Sequence, residues 1–431
     1  MNKIDRRALL RTVGAGLLAP ATVPRPARGQ TTVNLSMWAW TLKMQLEIDL
    51  FEKANPDIKV QWVNAGQGLA QYAKMRTALK AGIGMPDVVQ VTYQMIPSFQ
   101  IVDALVDLTP YGADKLRDTF VAFAWQQSSV KGRTYGIPWD SGPVGLIYRQ
   151  DLFDKYRITP PATWDEFAET AARLNRDAPD VFLTNTMLNN AAWMWGAMWQ
   201  AGSRPFEVDG QSVRITVNND AARKWAAYWQ RLIETKVVEA RPAFTTEWYT
   251  AYDLGRYATW FIAAWGPAFL SQFAKNSAGL WRVAPPPLWQ AGNYVSANMG
   301  GSTLAVSKQS KYPEQAAKLA IWLMTDPGSV ETFVEQQFLF PTRRDLLEKP
   351  QFADIASDFY GGQKINQVYI ESSRHVGEAI QWSPFEDFAD QQLQNEMSAA
   401  GAGKGTLVEA LDRVQDILVK YARGQGFTVR T

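Results

Sequence analysis

The first hundred residues alternate between a two-residue and a helical hydrophobic period, which indicates strands that follow helices. The pattern predicts a strand from Val33 to Met37, a helix from Met44 to Ala54, a strand from Ile58 to Trp62, a helix from Tyr72 to Ala81 and a strand from Val88 to Val91. Short connections between such elements are typical of a parallel sheet with helical crossovers. Because ligands bind outside the carboxyl ends of such strands, we expect Trp38, Trp40, Gln67 and Tyr93 near one rim of a cleft.

The stretch from Tyr135 to Arg149 interrupts a strand pattern with proline and glycine. Pro138 and the pair Gly142-Pro143 separate two β-prone apolar runs. Proline and glycine at such positions inside an extended run indicate a bend or a change of sheet. We predict that the chain leaves one lobe and enters another here, with Trp139 and Asp140 exposed at the crossing.

Helix signals recur in the second half of the chain. Thr163 and Glu166 have the spacing of a capping box, in which each side chain satisfies a free backbone N–H. Trp225 and Trp229 follow helical spacing among other apolar residues, so we expect both to lie in the core. A further helix is predicted from Pro313 to Thr325, where it ends before Asp326-Pro327-Gly328.

Residues 1–29 have the layout of an export signal. Arg6-Arg7 precede the apolar run Thr12–Val23, and Ala27-Arg28-Gly29 fits a cleavage site before Gln30. Adjacent arginines are typical of the twin-arginine export pathway of bacteria. The chain has no cysteine to carry a lipid anchor, so we expect a mature protein that is free in the periplasm.

The charge balance argues against a protein that binds polyanions. The 431-residue chain has 44 Lys and Arg against 42 Asp and Glu, and it is 46% hydrophobic, as in ordinary globular proteins of two to three domains. Removal of residues 1–29 takes away six basic residues and one acidic residue, which leaves 38 against 41 and a net charge of −3. Nucleic acids and anionic membranes select a basic excess on one face, so we expect neither as a partner.

The residue inventory excludes several kinds of active site. The chain has no cysteine and a single histidine, His375, so thiolate nucleophiles, iron–sulfur clusters and Cys/His zinc sites are excluded. No Gly-x-Ser-x-Gly motif supplies a serine nucleophile. Gly401–Thr406 resembles the end of a phosphate-binding loop, but Ser398 stands where the motif needs glycine and a helix precedes it. We expect no metal, no cofactor, a turn between helices at Gly401–Thr406 and a structural role for His375.

Tryptophan gives the strongest positive signal. The chain has 18 tryptophans, several of which fall at breaks in the hydrophobic pattern rather than on core stripes: Trp38, Trp40, Trp139, Trp193, Trp195, Trp265 and Trp382. Flat apolar rings in a polar cleft suit the C–H faces and hydroxyl rim of a sugar. We therefore expect a carbohydrate ligand that stacks on some members of this set.

Two other classes of function stay open. A secreted carbohydrate-active enzyme would need two carboxylates that face each other across the cleft at roughly 5–10 Å, and Asp87 and Asp140 are the acids that the pattern places near it. A receptor for a phosphorylated or acidic solute would use Arg149 and Arg343 as bidentate partners.

Short motifs lie along the whole mature chain, namely Phe51–Val60, Pro86-Asp87-Val88, Leu105–Leu108, Gly136-Ile137-Pro138, Ile147–Phe153, Pro161–Phe167, Gly300-Gly301 and Pro341-Thr342-Arg343. In their order and spacing they resemble the extracellular solute-binding proteins, family 1, of ABC importers, which include the maltose-, trehalose- and glycerol-phosphate-binding proteins. Two positions depart from the family pattern. Ala268 stands where many members have tryptophan, and Gly142 stands where the maltose-type proteins have glutamate.

The resemblance implies an α/β, type II periplasmic-binding-protein fold, with two lobes, a central cleft and a hinge of three crossings at Trp139–Pro143, Asn298–Ser302 and Pro341–Asp345. The N-terminal lobe would comprise residues 30–139 and 302–341, and the C-terminal lobe residues 140–301 and 342–431. Such a protein is a monomer that closes on its sugar and delivers it to an inner-membrane permease without catalysis. The predicted ligand contacts are Trp38, Trp40, Gln67, Tyr93, Trp139, Asp140, Trp193, Trp195, Trp265, Gly301, Arg343 and Trp382.

Overall fold

The structure is a computed structural model that describes residues 32–41, 43–337, 339–377 and 380–431. The predicted export signal, residues 1–29, lies outside the described residues. Within the described ranges, no helix combines the length and the apolar character needed to cross a bilayer.

The strands are short and are spread over the whole described chain. They are β1 Val33–Trp38, β2 Ile58–Val63, β3 Val88–Thr92, β4 Ser129–Val130, β5 Arg133–Thr134, β6 Ile137–Asp140, β7 Val144–Arg149, β8 Phe206–Asp209, β9 Ser212–Ile215, β10 Thr259–Ala263, β11 Trp281–Ala284, β12 Ser302–Val306 and β13 Thr428–Arg430.

The α-helices connect and cover these strands. They are α1 Gln45–Ala54, α2 Leu69–Ala81, α3 Ile96–Gln100, α4 Ala122–Gln127, α5 Gln150–Lys155, α6 Trp164–Asp177, α7 Ala191–Gln200, α8 Asp220–Glu234, α9 Thr246–Asp253, α10 Gly266–Phe273, α11 Pro313–Thr325, α12 Pro327–Gln337, α13 Arg344–Leu347, α14 Pro350–Ala353, α15 Ile365–Arg374, α16 Glu386–Gly401 and α17 Leu407–Gly424.

The first lobe is built on a five-stranded sheet in the order β2-β1-β3-β12-β6. β1 pairs in parallel with β2 and β3, as the alternation of strand and helix predicts, and β12 runs antiparallel between β3 and β6. Leu35 and Met37 of β1 and Ile48 and Phe51 of α1 are buried in one core. Burial of each such side chain contributes about 1.5–3 kcal/mol.

The second lobe contains an antiparallel sheet in the order β10-β7-β11 and a small sheet in the order β13-β9-β8. Its core includes Trp225 and Trp229 of α8, which are fully buried as their helical spacing predicts. The long helices α16 and α17 pack against each other and against α7 and α8. Gly401–Thr406 forms the turn between α16 and α17, so its similarity to a phosphate-binding loop is confined to the sequence.

Three crossings connect the lobes. The chain leaves the first sheet after β6, and residues 141–143, the first crossing, lead directly into β7 of the second lobe. Residues 298–301, the second crossing, lead back into β12. The third crossing, residues 341–343, forms isolated bridges from Pro341 to Asp140 and from Arg343 to Phe120.

The expectation that Trp139 and Asp140 are exposed at the first crossing is wrong. Trp139 is 1% exposed and Asp140 is 6% exposed. The reason is that both residues belong to β6, where Trp139 packs in the first-lobe core and Asp140 lies between the other two crossings. The proline and glycine residues around β6 therefore did not indicate that the side chains of this strand are exposed to solvent.

The predicted capping box at α6 forms in part. Thr163 Oγ1 accepts a hydrogen bond from Glu166 N at 3.1 Å. Glu166 Oε2 accepts from the N–H of Ala162 at 2.8 Å instead of the N–H of Thr163. The complete box is found at α17, where Thr406 and Glu409 satisfy each other's backbone N–H groups.

Candidate functional site

The carboxyl ends of the parallel strands form the rim of the first lobe, where the sequence places Trp38, Trp40 and Gln67. Trp38 ends β1 and is partly buried, as is Trp40, whose ring packs edge-on against Tyr72 with 6.3 Å between centroids. The N–H groups of Trp40 and Thr41 both donate to Gln90 Oε1, at 3.0 and 3.3 Å, which fixes the backbone at the rim. Gln67 lies exposed in the loop before α2. Trp40 and Gln67 are thus held at one edge with their side chains at least partly accessible.

The hinge brings together three predicted site residues, Tyr93, Asp140 and Gly301. Tyr93 Oη donates to the backbone oxygen of Asp140 at 3.0 Å, and Asp140 Oδ1 accepts from Ser302 N at 2.9 Å. Burial raises the pKa of the Asp140 carboxyl to about 6, while hydrogen bonds from Ser302 lower it. Asp140 therefore ties the first crossing to β12, and a contact with ligand stays a prediction.

Gly301 is required where it stands. Its φ is +85°, which side chains other than glycine rarely adopt. A Cβ atom there would lie 2.7 Å from Cε2 of Tyr93 and 2.8 Å from the backbone oxygen of Asp140. The close approach of the second crossing to β6 thus depends on a residue without a side chain.

Trp265 is the partly accessible tryptophan of the second lobe among the predicted contacts. It immediately precedes α10, and its Nε1 donates to the backbone oxygen of Met299 in the second crossing at 2.9 Å. Phe244 and Phe269 pack beside its ring, with 6.4 and 5.7 Å between centroids. Because the indole N–H is fixed and the ring is only partly buried, Trp265 has the surroundings of a stacking platform.

The other predicted tryptophans are buried. Trp139 packs on Phe333 in the first-lobe core, and Trp193 packs edge-on against Trp225 and Trp229. The Nε1 atom of Trp193 donates to Phe261 O at 3.0 Å. These surroundings are those of core side chains, so a contact between either ring and ligand stays an untested prediction.

Two buried tryptophans lie where the lobes meet. Trp382 Nε1 donates to Oε1 of Gln127, a first-lobe residue, at 2.8 Å. Trp195 Nε1 donates to Asp390 Oδ1 of α16 at 2.8 Å. Trp382 therefore supports the contact between lobes directly, whereas Trp195 positions Asp390 of the same lobe.

The two arginines of the acidic-solute hypothesis have protein partners. Arg343 forms a two-point ion pair with Asp345, with N···O distances of 2.9 and 2.7 Å, and it also donates to Thr325 O at 2.8 Å. Arg149 forms the same kind of pair with Asp151, with both distances 2.8 Å. These arginines lower the pKa of both carboxyl partners. A phosphate or carboxylate ligand would have to displace a bidentate partner.

The sequence reasoning missed a polar contact that joins the lobes, which we call the interlobe seam. It consists of Arg76, Gln94 and Ser98 from the first lobe and of Ser383, Glu386, Asp387 and Asp390 from the second. Arg76 Nε donates to Asp387 Oδ2 at 3.0 Å, and Glu386 N donates to Ser98 Oγ at 2.8 Å. The sequence does show three acids, at positions 386, 387 and 390, in the first turns of a helix. The neighbouring residues in the sequence, however, do not indicate which surface of the protein these acids contact.

Within the described residues, no cluster of three or more His, Cys, Asp or Glu side chains could hold a metal ion. Glu386 and Asp390 lie on the same helix and in the same lobe, so they do not face each other across a cleft as glycosidase carboxylates do. His375 stacks on Tyr294 with 4.3 Å between ring centroids, and its structural role stays a prediction.

A family model for bacterial extracellular solute-binding proteins matches residues 39–329. The chain belongs to this family. The predicted family membership is therefore confirmed.

Among the curated relatives of this solute-binding protein is the arabinooligosaccharide-binding protein of Bacillus subtilis. It is 24% identical over 88% of this chain and 90% of that protein. The lactose-binding protein of Rhizobium radiobacter is 25% identical over 95% of this chain and 97% of that protein.

Solved structures share the fold. An ABC transporter-associated binding protein from B. animalis subsp. lactis Bl-04, in complex with β-1,6-galactobiose, superposes with a TM-score of 0.84 and 27% identity, over 93% of this chain and 100% of that one. The similarity confirms the predicted two-lobed α/β, type II periplasmic-binding fold. The exact lobe boundaries stay a prediction.

Proposed function

We propose that this solute-binding protein captures a mono- or oligosaccharide in the cleft between its lobes and delivers it to the permease of an ABC importer. The observation that carries the proposal is a partly exposed tryptophan on each lobe. A hydrogen bond from its backbone N–H fixes Trp40 of the first lobe, a hydrogen bond from its indole N–H fixes Trp265 of the second, and both residues are partly exposed. Two rings that meet a ligand from opposite lobes would make closure depend on a sugar with two apolar faces.

The relatives support the same class of ligand. The arabinooligosaccharide-, lactose- and β-1,6-galactobiose-binding proteins all take carbohydrates of more than one sugar unit. An oligosaccharide is therefore favoured over a single monosaccharide. The acidic-solute hypothesis is less well supported, because Arg149 and Arg343 already pair with Asp151 and Asp345.

A thermal-shift screen tests the proposal. The purified protein would be melted with millimolar arabinotriose, lactose, β-1,6-galactobiose, maltose, a polyamine and a sugar phosphate. A ligand that binds only the folded state stabilises it by RT ln(1 + [L]/Kd), so at least one neutral sugar should raise the melting temperature. A shift with the sugar phosphate or polyamine and with no neutral sugar would contradict the assignment.

We further infer that the protein acts as an exported monomer without catalytic activity. Support comes from the twin-arginine layout of residues 1–29 and from a seam whose acids share one helix. Incubation with the best-binding oligosaccharide, followed by chromatography, should return the sugar intact. Replacement of Arg6 and Arg7 by lysine should leave the protein in the cytoplasm, and light scattering should give a mass of one chain.

A further inference from the structure

A pair of acids is buried in the interlobe seam. Glu386 and Asp390 lie one turn apart on α16 and are 0% and 5% exposed. Glu386 Oε2 accepts from Ser383 N at 2.8 Å, and Asp390 Oδ1 accepts from Trp195 Nε1 at 2.8 Å. The second oxygen of Glu386, Oε1, is buried without a donor. Two ionised carboxylates buried one turn apart would repel each other and would both lose their hydration, so the pair favours a protonated state.

The groups around the pair do not neutralise it. On α16 itself, Asp387 adds a negative charge, which Arg76 of α2 balances through their ion pair. Tyr72 of α2 is the titratable group that faces Asp390, and its hydroxyl is bonded to Thr92. The helices α3 and α7 carry no charged residue, and Gln94 approaches Asp390 with an amide. The helix α17 also packs against α16, and its Arg413 pairs with Glu396. Within the described residues no cation forms an ion pair with Glu386 or Asp390, so a proton is the charge compensation available to the pair.

The first lobe supplies part of the cover. Ser98 Oγ accepts a hydrogen bond from the backbone N–H of Glu386. Gln94 is a hydrogen-bond partner of Asp390, and Arg76 forms an ion pair with Asp387. All three first-lobe residues would leave α16 if the lobes separated, and water would then reach both carboxyl groups. In the closed arrangement burial raises the pKa of Glu386 well above its usual range and that of Asp390 to about 7. Hydrated carboxyl groups titrate near 4.

We propose that closure of the cleft takes up protons at the Glu386–Asp390 pair, so that acidification favours the closed, ligand-bound receptor. This inference rests on the proposed function, because sugar binding is what drives the closure. The closed state holds extra protons above pH about 4, and Asp390 gives up its proton at about pH 7 while Glu386, whose pKa is raised further, keeps its own. Affinity for sugar is therefore highest at low pH and falls as the pH rises above about 4. Below about pH 4 both states have the same protonation and the dependence disappears.

Calorimetric titration measures the proton uptake directly. The tightest-binding sugar among arabinotriose, lactose and β-1,6-galactobiose would be titrated at pH 6 in buffers of different ionisation enthalpy. The slope of observed enthalpy against buffer enthalpy gives the number of protons, and we expect between about one and two taken up, because both carboxyl groups are protonated in the closed state at this pH. The dissociation constant should rise by about ten- to a hundredfold per pH unit between pH 5.5 and 7.

Conservative variants assign the effect to the pair. Glu386→Gln supplies a neutral amide in place of the protonated carboxyl group, so it should bind sugar with lower proton uptake and a flatter pH profile. Asp390→Asn, a second route to the same result, guards against a single misfolded variant. Glu396→Gln, on the same helix but paired with Arg413 within the second lobe, is the matched control and should keep the wild-type uptake. No uptake by the wild type, or unchanged uptake in both seam variants, would overturn the proposal.

A ligand-free readout separates this inference from the proposed function. If no sugar in the panel binds, the function is wrong, and the seam is then tested through the indole N–H signal of Trp195, which donates to Asp390. In a nuclear magnetic resonance titration of the ligand-free protein, whose lobes are apart in this proposal, that signal should move with a midpoint near 4 in the wild type. A ligand-free midpoint above 5.5 would show that the pair is buried without closure and would overturn the inference by itself.

Discussion

At the scale of single residues, the tryptophans divide by the surroundings of their rings. Trp193 is enclosed by Trp225 and Trp229, whereas Trp265 keeps part of its ring accessible beside the second crossing. The same side chain therefore serves two physical roles in one lobe. Substitution distinguishes them, because loss of a core ring changes stability and loss of a platform changes affinity.

We expect Trp265→Ala to weaken sugar binding by about 1–2 kcal/mol, roughly 5- to 30-fold, because a stacking face is lost. The free energy of unfolding should change much less. The matched control, Trp193→Ala, leaves a cavity in the core and should cost about 3–5 kcal/mol of stability. Calorimetric titration and urea unfolding give the two quantities, and unchanged affinity in Trp265→Ala would remove this ring from the site.

A second residue-scale prediction concerns Gly301. Gly301→Ala combines an unfavourable φ with contacts of 2.7 and 2.8 Å, and it should destabilise the protein by about 2–4 kcal/mol. Gly362→Ala has a φ of +80° but nothing within 4 Å of the new Cβ, so it should cost only about 1 kcal/mol. Equal losses in urea unfolding would show that steric contact at the hinge is unimportant.

At the scale of elements, β6 and β12 organise the hinge. β6 ends at Asp140, whose side chain binds Ser302 at the start of β12 and whose backbone bridges to Pro341. One residue thus contacts all three crossings. This arrangement positions the lobes more directly than any predicted ligand contact at the same place.

The pH dependence of Asp140 tests that role. Its raised pKa means that the protonated carboxyl is favoured in the folded state, so its contribution to stability is complete below about pH 4 and is lost as the pH rises through about 6. The loss amounts to about 3 kcal/mol for a shift of this size. Asp140→Asn keeps an acceptor for Ser302 N and should remove this component, so the difference in unfolding free energy between variant and wild type should grow from pH 4 to pH 7. A constant difference over that range would contradict the buried-acid interpretation.

At the scale of the whole molecule, the interlobe seam is a polar contact that joins the lobes in this structure. The Arg76–Asp387 ion pair spans the lobes at 3.0 Å, with about a third of each side chain exposed. Partly hydrated pairs contribute little individually. The seam is therefore suited to a closure that is stabilised by ligand and remains reversible.

A double-mutant cycle on this pair tests the point. Arg76→Ala and Asp387→Ala should each weaken sugar affinity by about two- to fivefold, and the double variant should lose no more than either single change. Arg413→Ala breaks a pair with Glu396 that lies within one lobe and should leave affinity unchanged. Full additivity of the two seam variants would show that the ion pair is not coupled to ligand binding.

The sequence by itself determined the parallel part of the first sheet, the core stripe of α8, the extent of α11 and the position of the first crossing. Each of these depends on interactions between near neighbours in the chain, which hydrophobic period and turn residues report directly. The motifs also indicated the family.

Only the tertiary structure decided that Trp139 and Asp140 are buried, that Arg149 and Arg343 have carboxylate partners, and that Glu386 and Asp390 meet the first lobe. The physical reason is sequence distance. Arg76 and Asp387 lie 311 positions apart, and burial or pairing at such a contact depends on how two separately folded lobes approach each other. The hydrophobic periodicity within a short segment carries no information about contacts between the lobes.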